Sequence, residues 1–194
     1  MPRGGAKTVG STSFSTIRTS VGPPRWIGIS DSSLEASGTT ALSITAGYDI
    51  ALAGDYWASS TDGVVIAAAT GVRITSNVFV NNQHQGLIIA HSSSDILVAD
   101  SDFPDNSQAA DGQWYHINVF GPDFRITGNR FGNRLLGSGT RAAAAIVVNS
   151  PTLGGSDNFM IFGNRCDPAA VTVVCYQDSS GSSNKQVFGN LPKS

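Results

Sequence analysis

A repeated phrase constrains this 194-residue chain more than any other feature: DFRITGNRF at 123–131 returns as NFMIFGNRC at 158–166 and shortens to KQVFGN near the end. Aligned on the central aliphatic residue, Ile29, Leu52, Ile74, Val98, Ile126, Ile161 and Val187 form one column, with steps of 23, 22, 24, 28, 35 and 26 residues. Two positions earlier stand Ile27, Ile50, Val72, Ile96, Phe124 and Phe159, with Lys185 in the last copy. Side chains two apart on a strand share a face, so each copy predicts a strand with one face buried. Three positions after the central residue come Ser32, Asp55, Asn77, Ser101, Asn129, Asn164 and Asn190, and two further on Leu34, Trp57, Phe79, Phe103, Phe131, Cys166 and Pro192. Between the aliphatic and polar columns lie Asp31, Gly54, Ser76, Asp100, Gly128, Gly163 and Gly189. A position that accepts Gly, Asp or Ser there predicts a tight bend with positive φ. The Asn after it then points inward, where its amide bonds the backbone and the next Asn of a ladder.

Most periods hold a second strand: ALSIT at 41–45, VVIA at 64–67, LIIA at 87–90, HINVF at 116–120, AIVVN at 145–149 and VTVVC at 171–175. Each period therefore reads as a strand, a short turn, a second strand, the bend, a brief third strand and a loop. Repeats of this content predict coils of a solenoid stacked about 4.8 Å apart. The expected class is all-β: a single right-handed parallel β-helix of about seven coils over 25–194, preceded by a cap or tail at 1–24.

Composition supports that class. Charged residues make up 13% of the chain, against 22 glycines, and Glu35 is the sole glutamate, so neither disorder nor a helical protein is expected. A net charge of −2 without a Lys/Arg cluster gives no footprint for nucleic acid or an anionic membrane. No run of about 18 apolar residues is present to span a bilayer, and no apolar h-region of a secretory signal is read at the N-terminus. Cys166 and Cys175 lack His or Cys partners at zinc spacing and are expected to be buried free thiols. No motif calls for a metal or cofactor.

VRITSNVF, FRITGNRF and FMIFGNRC resemble the repeats of right-handed parallel β-helix proteins of the pectate-lyase-like superfamily, over about residues 25–192. That superfamily includes pectinases, alginate-modifying enzymes and bacteriophage tailspikes, and the short coils and Ser/Gly/Asn composition look most like a tailspike segment. The resemblance implies a polysaccharide partner and a homotrimer. The paired-Asp and Gly-His-Gly pattern of polygalacturonases is missing, as is an obvious acidic calcium cluster of the pectate lyases.

Insertions in repeat proteins collect on one face, often the binding face. The uneven loops at 80–86, 104–115, 132–144 and 167–170 are expected to bring His84, Asp105, Asp111, Gln113, Trp114, Tyr115, Arg134 and Arg141 together. Placing Ile117 and Val119 inward sends His116 and Asn118 outward beside them. Aromatic rings, amides and arginines suit sugar binding. For cleavage, Asp105 and Asp111 are the local carboxylate pair for a hydrolase, while a lyase would use His116 or Tyr115 as base with Arg141 as the neutralising cation. The catalytic candidates are thus Asp111, His116 and Arg141. Binding candidates are His84, Asp105, Gln113, Trp114, Tyr115, Asn118 and Arg134. Loop Asp and Asn residues ordinarily serve turns, and a strand-surface His is ordinarily solvated.

Three functions follow: a surface-polysaccharide recognition module of tailspike type, a polysaccharide lyase or hydrolase, and a structural spacer. Outward Leu97, Met160, Phe162 and Phe188 form an apolar strip expected to carry self-association, as a trimer. With no amphipathic helix over it, the last coil is expected to be covered by further chain or by an oligomer partner.

Overall fold

Period-two alternation becomes stacked strands in a computed structural model that describes residues 25–132, 140–149 and 157–192. Residues 1–24, read above as a cap or tail, lie outside the described residues, as does Arg134. A first sheet of seven parallel strands runs from Arg25–Ser30 to Lys185–Phe188, and a second of seven short strands from Ser33–Glu35 to Leu191–Pro192. A third, of six strands, runs from Thr40–Ile44 to Val171–Asp178. The chain visits them in rotation, making six complete turns and the first two strands of a seventh. This is the parallel β-helix the columns predict.

Register follows the columns. Ile29 pairs with Leu52, Leu52 with Ile74, Ile74 with Val98, Val98 with Ile126, Ile126 with Ile161 and Ile161 with Val187. Stacking like on like keeps the interior close-packed along the axis. Trp57, Phe79, Phe103 and Phe131 are fully buried, with Phe79 and Phe103 stacked 4.5 Å apart and Phe103 and Phe131 5.2 Å. Each ring pair adds about 0.5–1.5 kcal/mol beyond its burial.

The bend column has positive φ in every coil: Asp31, Gly54, Ser76, Asp100, Gly128, Gly163 and Gly189. At Gly128 a Cβ would also lie 2.4 Å from Asp100 Oδ1, so that coil takes glycine's bare backbone against the aspartate of the coil before. The Asn ladder follows. Ser32 N donates to Asp55 Oδ1 (3.0 Å), Asp55 N to Asn77 Oδ1 (3.0 Å), Ser101 N to Asn129 Oδ1 (3.0 Å) and Asn129 N to Asn164 Oδ1 (3.0 Å). Each ladder amide also reaches the strand carbonyl of the preceding coil, as Asn129 Nδ2 does to Val98 O at 3.0 Å. Asp55 has no amide to donate; its Oδ2 is buried without a partner, and burial raises its pKa.

Two further left-handed corners recur along the stack. One is Ala36, Ser59, Asn81 and Asp105, and the other Asp49, Gly71, Asp95, Asp123 and Asn158. Immediately after the first of these runs a second ladder, in which Ser60 N donates to Asn82 Oδ1 (3.2 Å) and Asn82 Nδ2 to Asn106 Oδ1 (2.8 Å). It repeats the bend-then-amide rule three residues after Trp57, Phe79 and Phe103, a signal the sequence carries and the reading above missed.

The cysteines depart from expectation: Cys166 and Cys175 form a disulfide rather than two thiols. Cys166 faces inward from the second sheet after Phe131, and Cys175 lies within the last strand of the third sheet, past the register shift at Ala142–Ala144. Stacking brings the two columns together, which spacing alone does not reveal.

Candidate functional site

The uneven loops stack as the strands do. Gln83 N donates to Ser60 O and His84 N to Thr61 O, both at 2.8 Å; Ser107 N donates to His84 O at 2.9 Å and Ala109 N to Gln83 O at 2.9 Å. Further along, Gly112 N reaches Arg141 O (2.8 Å) and Ala143 N reaches Trp114 O (2.7 Å). Backbone hydrogen bonding thus joins the described parts of three insertions into one surface between the second and third sheets.

On that surface the His84 and Trp114 rings stack with centroids 4.0 Å apart and planes inclined by 27°. Both are partly exposed. Asp62 lies behind, with Oδ1 3.9 Å from His84 Nδ1 and accepting from Gln85 N at 3.2 Å; burial raises its pKa. Beside them Asp111 and Arg141 close a fork, Arg141 Nε to Oδ1 at 3.2 Å and Nη2 to Oδ2 at 3.0 Å, with Arg141 N to Oδ1 at 2.7 Å. These bonds hold the Asp111 carboxyl below its ordinary pKa and raise that of Arg141. Gln113 is exposed and Tyr115 partly buried next to Trp114. The structure therefore brings together His84, Asp111, Gln113, Trp114, Tyr115 and Arg141.

Other predicted members lie elsewhere. Asp105 is 2% exposed at a left-handed corner, so it and exposed Asp111 occupy different environments. His116 and Asn118, expected to face outward, are both buried, at 1% and 7% exposure. The reason for His116 is its position at the start of the strand. A Cβ at Gly86, one coil earlier in its column, would sit 3.1 Å from both Asn106 Nδ2 and Phe103 Cδ1, so this column faces the interior. His116 accordingly lies 5.8 Å from the Phe131 ring, and its Nδ1 meets Asn106 Nδ2 at 3.3 Å. Desolvation lowers its pKa to about 4, partly offset by the Ala170 carbonyl. Asn118 Oδ1 accepts from Asn149 Nδ2 at 2.5 Å. Asp62 was missed by the sequence reading because it opens a strand and no motif marks it.

Chemically the surface offers a ring face, amides and an internally neutralised ion pair. Among the described residues no group of three His, Cys, Asp or Glu is placed to hold a metal.

Fold and site define a parallel β-helix with a loop-built polar and aromatic face. No family model matches the chain, and no curated protein matches it in sequence. In structure it is similar to the A-module of the mannuronan C-5 epimerase AlgE4 of Azotobacter vinelandii, with a TM-score of 0.52 and 14% identity. The match covers 88% of this chain and 58% of that one. At that identity the likeness bears on the fold alone.

Proposed function

We propose that this β-helix is a polysaccharide-recognition module of phage-tailspike type, assembled as a homotrimer, that binds a glycan across its loop face without cleaving it. The stacked His84–Trp114 pair carries the reading: two partly exposed rings held by a hydrogen-bonded loop rack present a flat apolar face edged by Gln113 and the Asp111–Arg141 fork. A pyranose ring has the complementary surface, with C–H groups on its faces and hydroxyls at its rim. Binding is favoured over catalysis because Asp111 is held ionised by Arg141 and so is a poor general acid, while His116 is a buried neutral ring. The polysaccharide on which the similar epimerase module is named to act agrees with a glycan partner.

The test is titration calorimetry against a panel of neutral and acidic polysaccharides, alongside assays for new reducing ends and for ultraviolet absorbance of unsaturated uronates. Binding without product is the expected result, and Trp114→Ala should weaken it at least about tenfold. Turnover by the wild-type protein would make it an enzyme; unchanged affinity in Trp114→Ala would remove the loop face from recognition.

A further inference from the structure

The outer face of the first sheet carries a groove of about 340 Å³ lined in part by Arg73, Asp95, Leu97, Asp123, Arg125 and Met160. Its floor is one outward column, in which Arg73 pairs with Leu97, Leu97 with Arg125, and Arg125 with Met160. Two residues before each of these stands the left-handed corner of Gly71, Asp95, Asp123 and Asn158. An outward arginine in this register reaches the corner of the following coil. Arg73 does so in full: Nη2 donates to both Asp95 carboxylate oxygens at 3.0 Å and Nη1 to the Asp95 carbonyl at 2.7 Å.

Arg125 holds the same place two coils later, but the corner ahead of it is Asn158 instead of an aspartate. That amide is committed at both ends, Nδ2 donating to Asp123 Oδ1 at 2.6 Å and Oδ1 accepting from Asn184 Nδ2 at 3.2 Å. Among the described residues the Arg125 guanidinium has no hydrogen bond or ion pair. The groove therefore repeats an arginine clamp and omits its carboxylate.

We propose that Arg125 and this groove form a second saccharide subsite, which takes a sugar unit bearing a carboxylate; the proposal rests on the polysaccharide reading above and adds the acidic class of the glycan. The guanidinium fork matches a carboxylate in two parallel hydrogen bonds. The second oxygen of Asp123 accepts a ring hydroxyl, and Leu97 and Met160 flank Arg125 with apolar walls for the ring face. The charge of Asp95 does not oppose the ligand, because Arg73 already balances it. On the loop face the corresponding fork, Arg141, is filled by Asp111, so the two surfaces divide their chemistry. They also lie apart: the loops join the second and third sheets, whereas the groove is on the first.

The test is calorimetry of the whole chain with an oligouronate and with the same oligosaccharide after carboxyl reduction, for wild type, Arg125→Gln, Asn158→Asp and Trp114→Ala. Asn158→Asp supplies the missing carboxylate from within, and aspartate already fills this corner in three coils, at Asp49, Asp95 and Asp123. Expected are a preference for the oligouronate over its reduced form in wild type and a loss of about tenfold or more in affinity for it in both groove variants. Trp114→Ala should keep the preference while weakening both ligands. Oligouronate affinity unchanged in Arg125→Gln and Asn158→Asp, or no preference in wild type, would overturn the subsite. Loss of the reduced ligand in Trp114→Ala alone reports on the loop face, so the two readings fail separately.

Discussion

Neutral His116 closes the second ladder: Asn106 uses its Oδ1 for Asn82 and offers Nδ2, so His116 Nδ1 accepts and the ring proton resides on Nε2. Protonation removes that acceptor and charges a ring packed near Phe131. The folded pKa of about 4 lies below the ordinary 6.5, so the unfolded chain takes up the proton first as pH falls. Stability from this residue is complete above pH 6.5 and is lost as pH drops towards 4, by roughly 3 kcal/mol in all. Urea midpoints measured across that window should fall more steeply in wild type than in His116→Asn, whose amide accepts from Asn106 without titrating. Equal slopes in the two proteins would assign the acid sensitivity elsewhere.

Each corner is stabilised by a left-handed residue and the amide that follows it, and the cost of losing one depends on depth in the stack. Asn129 is wholly buried; truncation to Ala would orphan Ser101 N and remove the amide's bonds to Val98 O and Asn164. A buried donor left unpaired costs about 1–3 kcal/mol, and each further hydrogen bond lost costs about 1 kcal/mol. Asn129→Ala should therefore lower stability by about 3 kcal/mol in chemical denaturation, against about 1 kcal/mol for Asn190→Ala, whose rung is only partly buried. Comparable losses at both positions would mean that the ladder contributes through its end rather than its interior. Near that end the disulfide closes a short loop around Pro168–Ala170 and adds about 2–3 kcal/mol on the chain-entropy account.

Along the whole rod, exposed large apolar residues gather towards the ends: Trp26, Tyr48 and Tyr56 in the first coils, Val173, Val174, Val187 and Phe188 in the last. Among the described residues the middle coils add none to this exposed set. Phe162 and Phe188 stack on the outer sheet face with centroids 5.2 Å apart, and Phe188 is 53% exposed. Apolar surface concentrated in this way favours association. Sedimentation should find a trimer, and Phe188→Ser should shift it towards monomer while leaving the β-rich circular dichroism unchanged. A wild-type monomer at high micromolar concentration would rule out self-association through this face.

Strand positions, register, the positive-φ bend and the first Asn ladder were determined by the sequence itself. Each depends on a rule that acts within one coil and repeats in the next: alternation at period two, glycine or aspartate at a left-handed corner, an amide beside it. The loop cluster of His84, Trp114, Asp111 and Arg141 was legible for the same reason, since insertions at one corner must stack. Only tertiary structure decided how residues of different coils meet where the repeat is imperfect. His116 turns inward because its strand begins at a corner, Cys175 reaches Cys166 because their columns converge, and Arg125 is left open because Asn158 replaces an aspartate one coil away. These outcomes depend on contacts between residues 9 to 33 positions apart, as the positions themselves show. Local patterning cannot specify them, because loops of unequal length separate the coils and only closure of the stack sets which side chains face one another.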